Sequence, residues 1–207
     1  TTGSTPPVPV RAAIRDLQPS LTLQINDRVR QLRASGQQIY HLGFGESRFP
    51  VHVLIAQALR ENAQRRSYQP LLGMPALRQT IGAYYQSKFG WEVDAEQVVV
   101  GPGSKALLYA IMLALTGEVV LPTPTWVSYA PQVELTGRSF SYVPMDGAQG
   151  YRLDAESIRA YLDRKGGPTT LLYSNPHNPT GTVMTSLEVQ ALAALAATET
   201  GSLDDVR

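Results

Sequence analysis

Three stretches of the chain combine residue types able to hold an anion or a flat polar ring. In Gly101-Pro102-Gly103-Ser104-Lys105, glycine lets the backbone approach an anion closely. Unpaired N–H groups and the dipole of a following helix favour a phosphate, and Ser104 adds a hydroxyl donor. The turn lacks the lysine-Ser/Thr ending of a nucleotide P-loop, and alone it reads equally well as a plain helix start. In Pro124-Thr125-Trp126-Val127-Ser128-Tyr129, Trp126 beside a helix start could stack on a planar ring, although aromatics more often fill cores. In Tyr173-Ser174-Asn175-Pro176-His177-Asn178-Pro179-Thr180-Gly181, prolines fix the loop and asparagine offers an amide to a polar ligand group. An ordinary Asx-turn loop is the bland alternative, but the string N-P-H-N-P-T-G is long for a chance occurrence.

Other chemistries are disfavoured. His41, His52 and His177 show no metal-ligand pairing, and no Ser-His-Asp or Gly-x-Ser-x-Gly arrangement occurs. With no cysteine there is neither a disulfide nor a thiolate metal site. Eighteen basic residues against 17 acidic ones give a net charge of +1, so no broad field attracts nucleic acid. Arg28, Arg30 and Arg33, and the pair Arg65-Arg66, read as solvated helix faces.

The elements that must position these stretches follow from periodicity and punctuation. Ser20 is a candidate N-cap for a helix to about Ala34, with Gly36 placed to end it, and Ile39 to Leu42 reads as a strand. Helices are expected over Val53–Gln64 and over Pro75–Phe89, the second with Pro75 at its first position. From Val98 onward strand and helix alternate: strand Val98–Val100, helix Lys105–Leu115, strand Glu118–Leu121, helix Ser128–Leu135, strand Ser139–Val143, helix Ala155–Asp163, strand Thr170–Tyr173, and a helix from Ser186. That order implies an α/β layered domain with a mainly parallel sheet. In such sheets ligands bind beyond the carboxyl ends of strands, where all three stretches fall.

The composition, 43% hydrophobic and 17% charged over 207 residues, is that of a globular protein. No apolar run approaches the roughly 20 residues that span a bilayer. Thr1 to Pro9 is expected to be a flexible or partner-docked arm. The N-terminus lacks an apolar signal core, so a cytoplasmic location is expected.

The Asn175–Gly181 string resembles the signature of class I/II aminotransferases, pyridoxal-phosphate enzymes of the aspartate aminotransferase type. Gly43-Phe44-Gly45-Glu46 is similar to that family's G-E-P turn, the run from Tyr68 through Gly73 to Leu77-Arg78 to its Y-x-x-x-x-G-x-x-x-L-R segment, and Gly103-Ser104-Lys105 to its phosphate turn. The resemblance covers nearly the whole chain after Arg11. It implies a three-layer α/β/α fold with a mainly parallel mixed sheet, incomplete here. Residues 1–45 would form an arm and small-domain segment, and residues 46–207 the first part of the large cofactor-binding domain. It implies that Gly103, Ser104 and Lys105 hold the cofactor phosphate, that Trp126 stacks on the pyridine ring, and that Asn178 donates to the ring's phenolic oxygen. Gly45 would lie against the substrate carboxylate. Tyr68 would reach the phosphate of a neighbouring subunit, so a homodimer with shared sites is implied. The implied activity moves an amino group between an amino acid and a 2-oxo acid in amino-acid biosynthesis. Lyase or racemase chemistry on the same scaffold, and a non-catalytic homologue that binds a ligand or partner subunit, are the alternatives.

The chain departs from the pattern at Ser47-Arg48, where the family usually has proline and an acidic residue. No catalytic residue is assignable: the lysine that binds the cofactor covalently, the aspartate facing the pyridine nitrogen and the carboxylate-clamping arginine are all expected beyond Arg207. Lys105 at a helix start, and Lys88 and Lys165 outside any motif, are not expected to replace that lysine, and the 207 residues alone are expected to be inactive.

Overall fold

The computed structural model of the chain describes residues 9–19, 21–43, 45, 47 and 49–199. In chain order its elements are α1 (Ala12–Arg15), α2 (Leu21–Ala34), α3 (Val53–Asn62), α4 (Pro75–Phe89), α5 (Ser104–Ala114), β1 (Glu118–Thr123), α6 (Tyr129–Thr136), β2 (Phe140–Pro144), α7 (Ala155–Lys165), β3 (Thr169–Leu171) and α8 (Ser186–Glu199). Single 3₁₀ turns lie at Ala95–Gln97 and Gly147–Gln149. The chain divides into two compact units, one formed by Leu21–Leu108 and the other by the described residues before and after it.

The second of these units carries the sheet. Its strands lie in the order β2-β1-β3 and both pairings are parallel, with Val120 opposite Ser141 on one side and Leu171 on the other. Parallel strands covered on both faces need continuous apolar runs, and Val119, Val120 and Leu121 are fully buried. Val120 packs with Val143, Met145, Leu153, Ile158 and Leu195, which brings α7 and α8 onto one face. The pleat sends Val119 and Leu121 to the opposite face, and their complete burial means that this face is covered too.

Polar groups pin the amino ends of the strands. The buried Glu118 carboxylate accepts from the Tyr161 hydroxyl at 2.6 Å and the Ser141 hydroxyl at 2.8 Å, with Lys165 Nζ 3.4 Å away. The Tyr161 hydrogen bond does most to hold its pKa below the usual carboxylate value, against the opposing effect of burial. Arg138 donates to the carbonyls of Gly117 at 2.9 Å and Thr116 at 2.8 Å and to the Thr170 hydroxyl at 3.0 Å. Lys165, half exposed, pairs with the buried Glu118. The carboxyl ends, at Thr123, Pro144 and Leu171, are left to the loops.

In the Leu21–Leu108 unit the punctuation acts as expected. Pro75 occupies the first turn of α4, and Gly90, at φ 72°, ends it. Gly36, at φ 86°, follows α2, where Gln37 N–H reaches back to the Leu32 carbonyl at 3.1 Å. Ser20 and all of the expected arm except Pro9 lie outside the described residues.

Two expected strands are absent among the described residues: Ile39–Leu42 and Val98–Val100 have extended sequence but no ladder. Their backbone groups have other partners. The Ile39 carbonyl accepts from Arg33, and Gly43 N–H donates to His41 Nδ1. Val98 N–H bonds the Ala95 carbonyl, the Val98 carbonyl accepts from Arg78, and Val100 N–H donates to the Leu72 carbonyl. β-branched residues favour extended backbone, but a strand also needs a neighbouring strand to pair with.

Candidate functional site

The Gly101–Lys105 turn opens α5 in the Leu21–Leu108 unit. Gly103 has φ 94°, and a Cβ built there would meet nothing within 4 Å, so its backbone faces open space. The amides of Ser104 and Ala106, which a first helical turn leaves without an intrahelical acceptor, make no backbone hydrogen bond among the described residues. Ser104 is exposed, and so is Lys105 at the second position of the helix. In the same unit Gly45 is exposed with open space where a side chain would be, and Tyr68 is wholly exposed at 103%.

Trp126 and Asn178 belong to the sheet-bearing unit, each on a loop that follows a strand. Trp126 is half-buried and meets Tyr129 edge-on, with ring centroids 5.2 Å apart. Asn178 is exposed; its backbone N–H donates to Ser174 Oγ at 3.0 Å, and its carboxamide makes no hydrogen bond among the described residues. Asn175 is used internally, its Oδ1 accepting from Met184 N–H at 3.0 Å.

The residue joining these two loops is His177, which the sequence shows only as one letter of the Asn175–Gly181 string, without metal-ligand pairing. It is 3% exposed and stacks on Tyr173 at 4.9 Å with the rings 8° apart. Its Nδ1 lies 2.8 Å from Thr180 Oγ1, and its backbone brackets the loop through Thr182 and Gly181. Burial pushes the imidazole pKa below its ordinary value, and a hydrogen bond from the ring to the Pro124 carbonyl works the other way. One side chain thus ties the segment leading to Trp126 to the loop that carries Asn178. A histidine four residues after a tyrosine and three before a threonine is the only local signal of this role.

Beyond the loop, Arg152 makes a two-pronged contact with Glu188, Nε to Oε1 at 2.7 Å and Nη2 to Oε2 at 2.8 Å. Glu188 Oε2 also accepts from the N–H and hydroxyl of Thr185, while Thr185 Oγ1 accepts from Glu188 N–H, a reciprocal cap at the start of α8. Arg152, then the Thr185 donors, hold the Glu188 pKa down from 4.5 to about 2. Because the folded value is depressed, this contribution to stability is present above pH 4.5 and is lost as the pH falls towards 2. A carboxyl NMR titration is expected to find the Glu188 midpoint near the lower value, and a midpoint at 4 or above would show that the cap does not form in solution.

The profile of the aminotransferases of class I and II matches residues 38–203. The chain belongs to this family. Class I and II aminotransferases depend on pyridoxal phosphate. Among relatives, the aspartate aminotransferase of Streptomyces avermitilis is 33% identical over 203 residues, covering 94% of this chain and 49% of that protein. The aspartate aminotransferase of Bacillus subtilis is 32% identical over 181 residues, covering 85% and 45%. The solved structure of Thermus thermophilus aspartate aminotransferase with maleate superposes with a TM-score of 0.83 at 28% identity, covering 92% of this chain and 51% of that one. The chain therefore spans about half the length of the curated relatives it matches. The fold is the same, and the parallel sheet with its helices forms an incomplete three-layer α/β/α domain, as the motifs imply. No helix of this aminotransferase chain, among the described residues, is long and apolar enough to cross a membrane.

Proposed function

We propose that the chain carries cofactor-holding elements of an aminotransferase that moves an amino group between an amino acid and a 2-oxo acid. One observation carries this reading: the family match runs from residue 38 to residue 203 and so includes the phosphate turn, the Trp126 loop and the Asn178 loop. The donor set suits pyridoxal phosphate. Gly103 leaves room for phosphate oxygens, the Ser104 hydroxyl is exposed, and the first amides of α5 point their dipoles the right way for an anion. Lys105 adds a positive charge to the same turn.

In the proposed site Gly103, Ser104 and Lys105 would hold the phosphate, and the Trp126 indole would stack on the pyridine ring. The Asn178 carboxamide would donate to the phenolic oxygen, and Gly45 would leave room for the substrate carboxylate. When bound, the cofactor supplies the electron withdrawal that lets an amino group leave one carbon skeleton and join another. Asn178 would stabilise negative charge on the phenolic oxygen. The relatives' names make aspartate the first donor to screen. A cytoplasmic homodimer in amino-acid biosynthesis is part of the proposal. The complete exposure of Tyr68 suits a residue that serves a neighbouring subunit. The division into residues 1–45 and 46–207 is kept as its domain plan.

The test is affinity. The 207-residue chain is expected to bind pyridoxal phosphate more tightly than pyridoxal, which lacks the phosphate, read by quenching of tryptophan fluorescence. Ser104→Ala should weaken the phosphorylated form about tenfold, the effect of one hydrogen bond to a charged group. Equal affinity for the two compounds would overturn the phosphate assignment.

A further inference from the structure

Amides that bind a phosphate do so only if their direction is fixed before it arrives, and Pro102 to Ala106 are all exposed. Within the turn Gly103 N–H bonds the Gly101 carbonyl at 2.7 Å, and the rest of its rigidity comes from its flanks. On one side Leu107 of α5 packs on Gly101, where a Cβ would lie 2.7 Å from Leu107 Cδ2. On the other side stand Val98, Val99 and Val100, which have no strand partner among the described residues. They are held by the segment from Tyr68 to Arg78. Val100 N–H donates to the Leu72 carbonyl at 3.0 Å, and Gly73, at φ 100°, lets Val100 approach so closely that a Cβ there would lie 2.7 Å from Val100 Cβ. The Arg78 side chain, only 8% exposed, shares its Nε–H between the carbonyls of Val98 at 2.8 Å and Ala95 at 2.9 Å.

Burying a guanidinium carries a large desolvation cost unless its donors are used; here Nε–H is used, while Nη2 is buried with no hydrogen-bond partner among the described residues. The ion pair is not what retains it here: Glu96 lies 3.5 Å from Nη2 and is itself 82% exposed, the kind of contact that contributes little. Its short contacts are the two carbonyls, of which that of Val98 lies three residues before the first glycine of the phosphate turn. We infer that Arg78 is a positioning residue for phosphate binding: it fixes the backbone that leads into Gly101–Lys105 and so aims the amides of the turn. The inference rests on the phosphate assignment above and extends it to a residue remote from the ligand in sequence. Lysine cannot substitute, because its single ammonium lies beyond the position of Nε and has no planar fork.

The experiment compares Arg78→Lys and Arg78→Met with the wild-type chain, each kept at a temperature where circular dichroism shows it folded. Dissociation constants are measured for pyridoxal phosphate, inorganic phosphate and pyridoxal, with Glu96→Gln as the control for the ion pair. Both Arg78 variants are expected to weaken the two phosphate ligands about tenfold and pyridoxal less than twofold, with Glu96→Gln unchanged. If either variant does not fold, Gly73→Ala, which disturbs the same brace from the other side, is expected to give the same split. Parallel weakening of all three ligands, or no weakening, would reduce Arg78 to a structural residue and overturn the inference. A wild-type chain that binds pyridoxal as well as its phosphate would instead remove the assignment on which the inference rests.

Discussion

Gly117→Ala is expected to destabilise the sheet-bearing unit by about 3 kcal/mol, measured as a lower urea midpoint at unchanged slope. Gly117 sits between α5 and β1 with φ 80°, a conformation that alone costs an L-residue about 1 to 2 kcal/mol. The larger share is steric. An alanine Cβ would lie 2.0 Å from the Pro168 carbonyl oxygen, which already accepts from Glu118 N–H at 3.1 Å. Relief would require β1 and β3 to part where Arg138 and Glu118 bind them together. A loss of stability below about 0.5 kcal/mol, the range of an ordinary surface change, would mean that the turn is not held this tightly.

The second large effect is expected from His177→Ala, a loss of about 2 to 3 kcal/mol from the missing hydrogen bonds, the lost Tyr173 stacking and the cavity left behind. The Trp126 emission maximum should move as well, measured in a Trp91→Phe background, because the segment after Pro124 loses its tether. A pH signature separates this from simple loss of packing. The folded pKa of His177 lies below 6.5, so the unfolded chain takes up that proton first. Stability from this residue is present above pH 6.5 and declines as the pH falls below it. His177→Gln, which cannot titrate, is expected to flatten that slope. A slope that survives in the glutamine variant would assign it to another group.

Legibility from sequence tracked how local the determining interaction is. Pro75 opens α4 by its own backbone preference, as expected, and the helix ends at Phe89 with Gly90 at φ 72° beyond it. The apolar run Val119 to Leu121 reads as a strand, and it is one, buried on both faces. Val98 to Val100 have the same composition, yet their partners are a carbonyl at Leu72 and a side chain at Arg78, some 20 or more positions back, and local pattern carries no trace of them. The same holds for His177: the N-P-H-N-P-T-G string marked its loop, but the tie to Pro124 depends on two strands lying side by side. Arg78 was visible only as the last letter of a motif, its burial being a property of the folded α4 and the 3₁₀ turn beside it.

The strand order also sets a timetable for synthesis. β1 pairs with β2 across 21 positions, Val119 to Phe140, but with β3 across 51, Glu118 to Thr169. On a ribosome one edge of the central strand is therefore satisfied well before the other, and a growing chain carries an apolar, half-paired β1 while α7 is still being made. Bare edges of this kind invite pairing with other chains. Slower translation between Pro144 and Leu171 would lengthen that exposure, so chaperone demand should depend most on elongation through those codons.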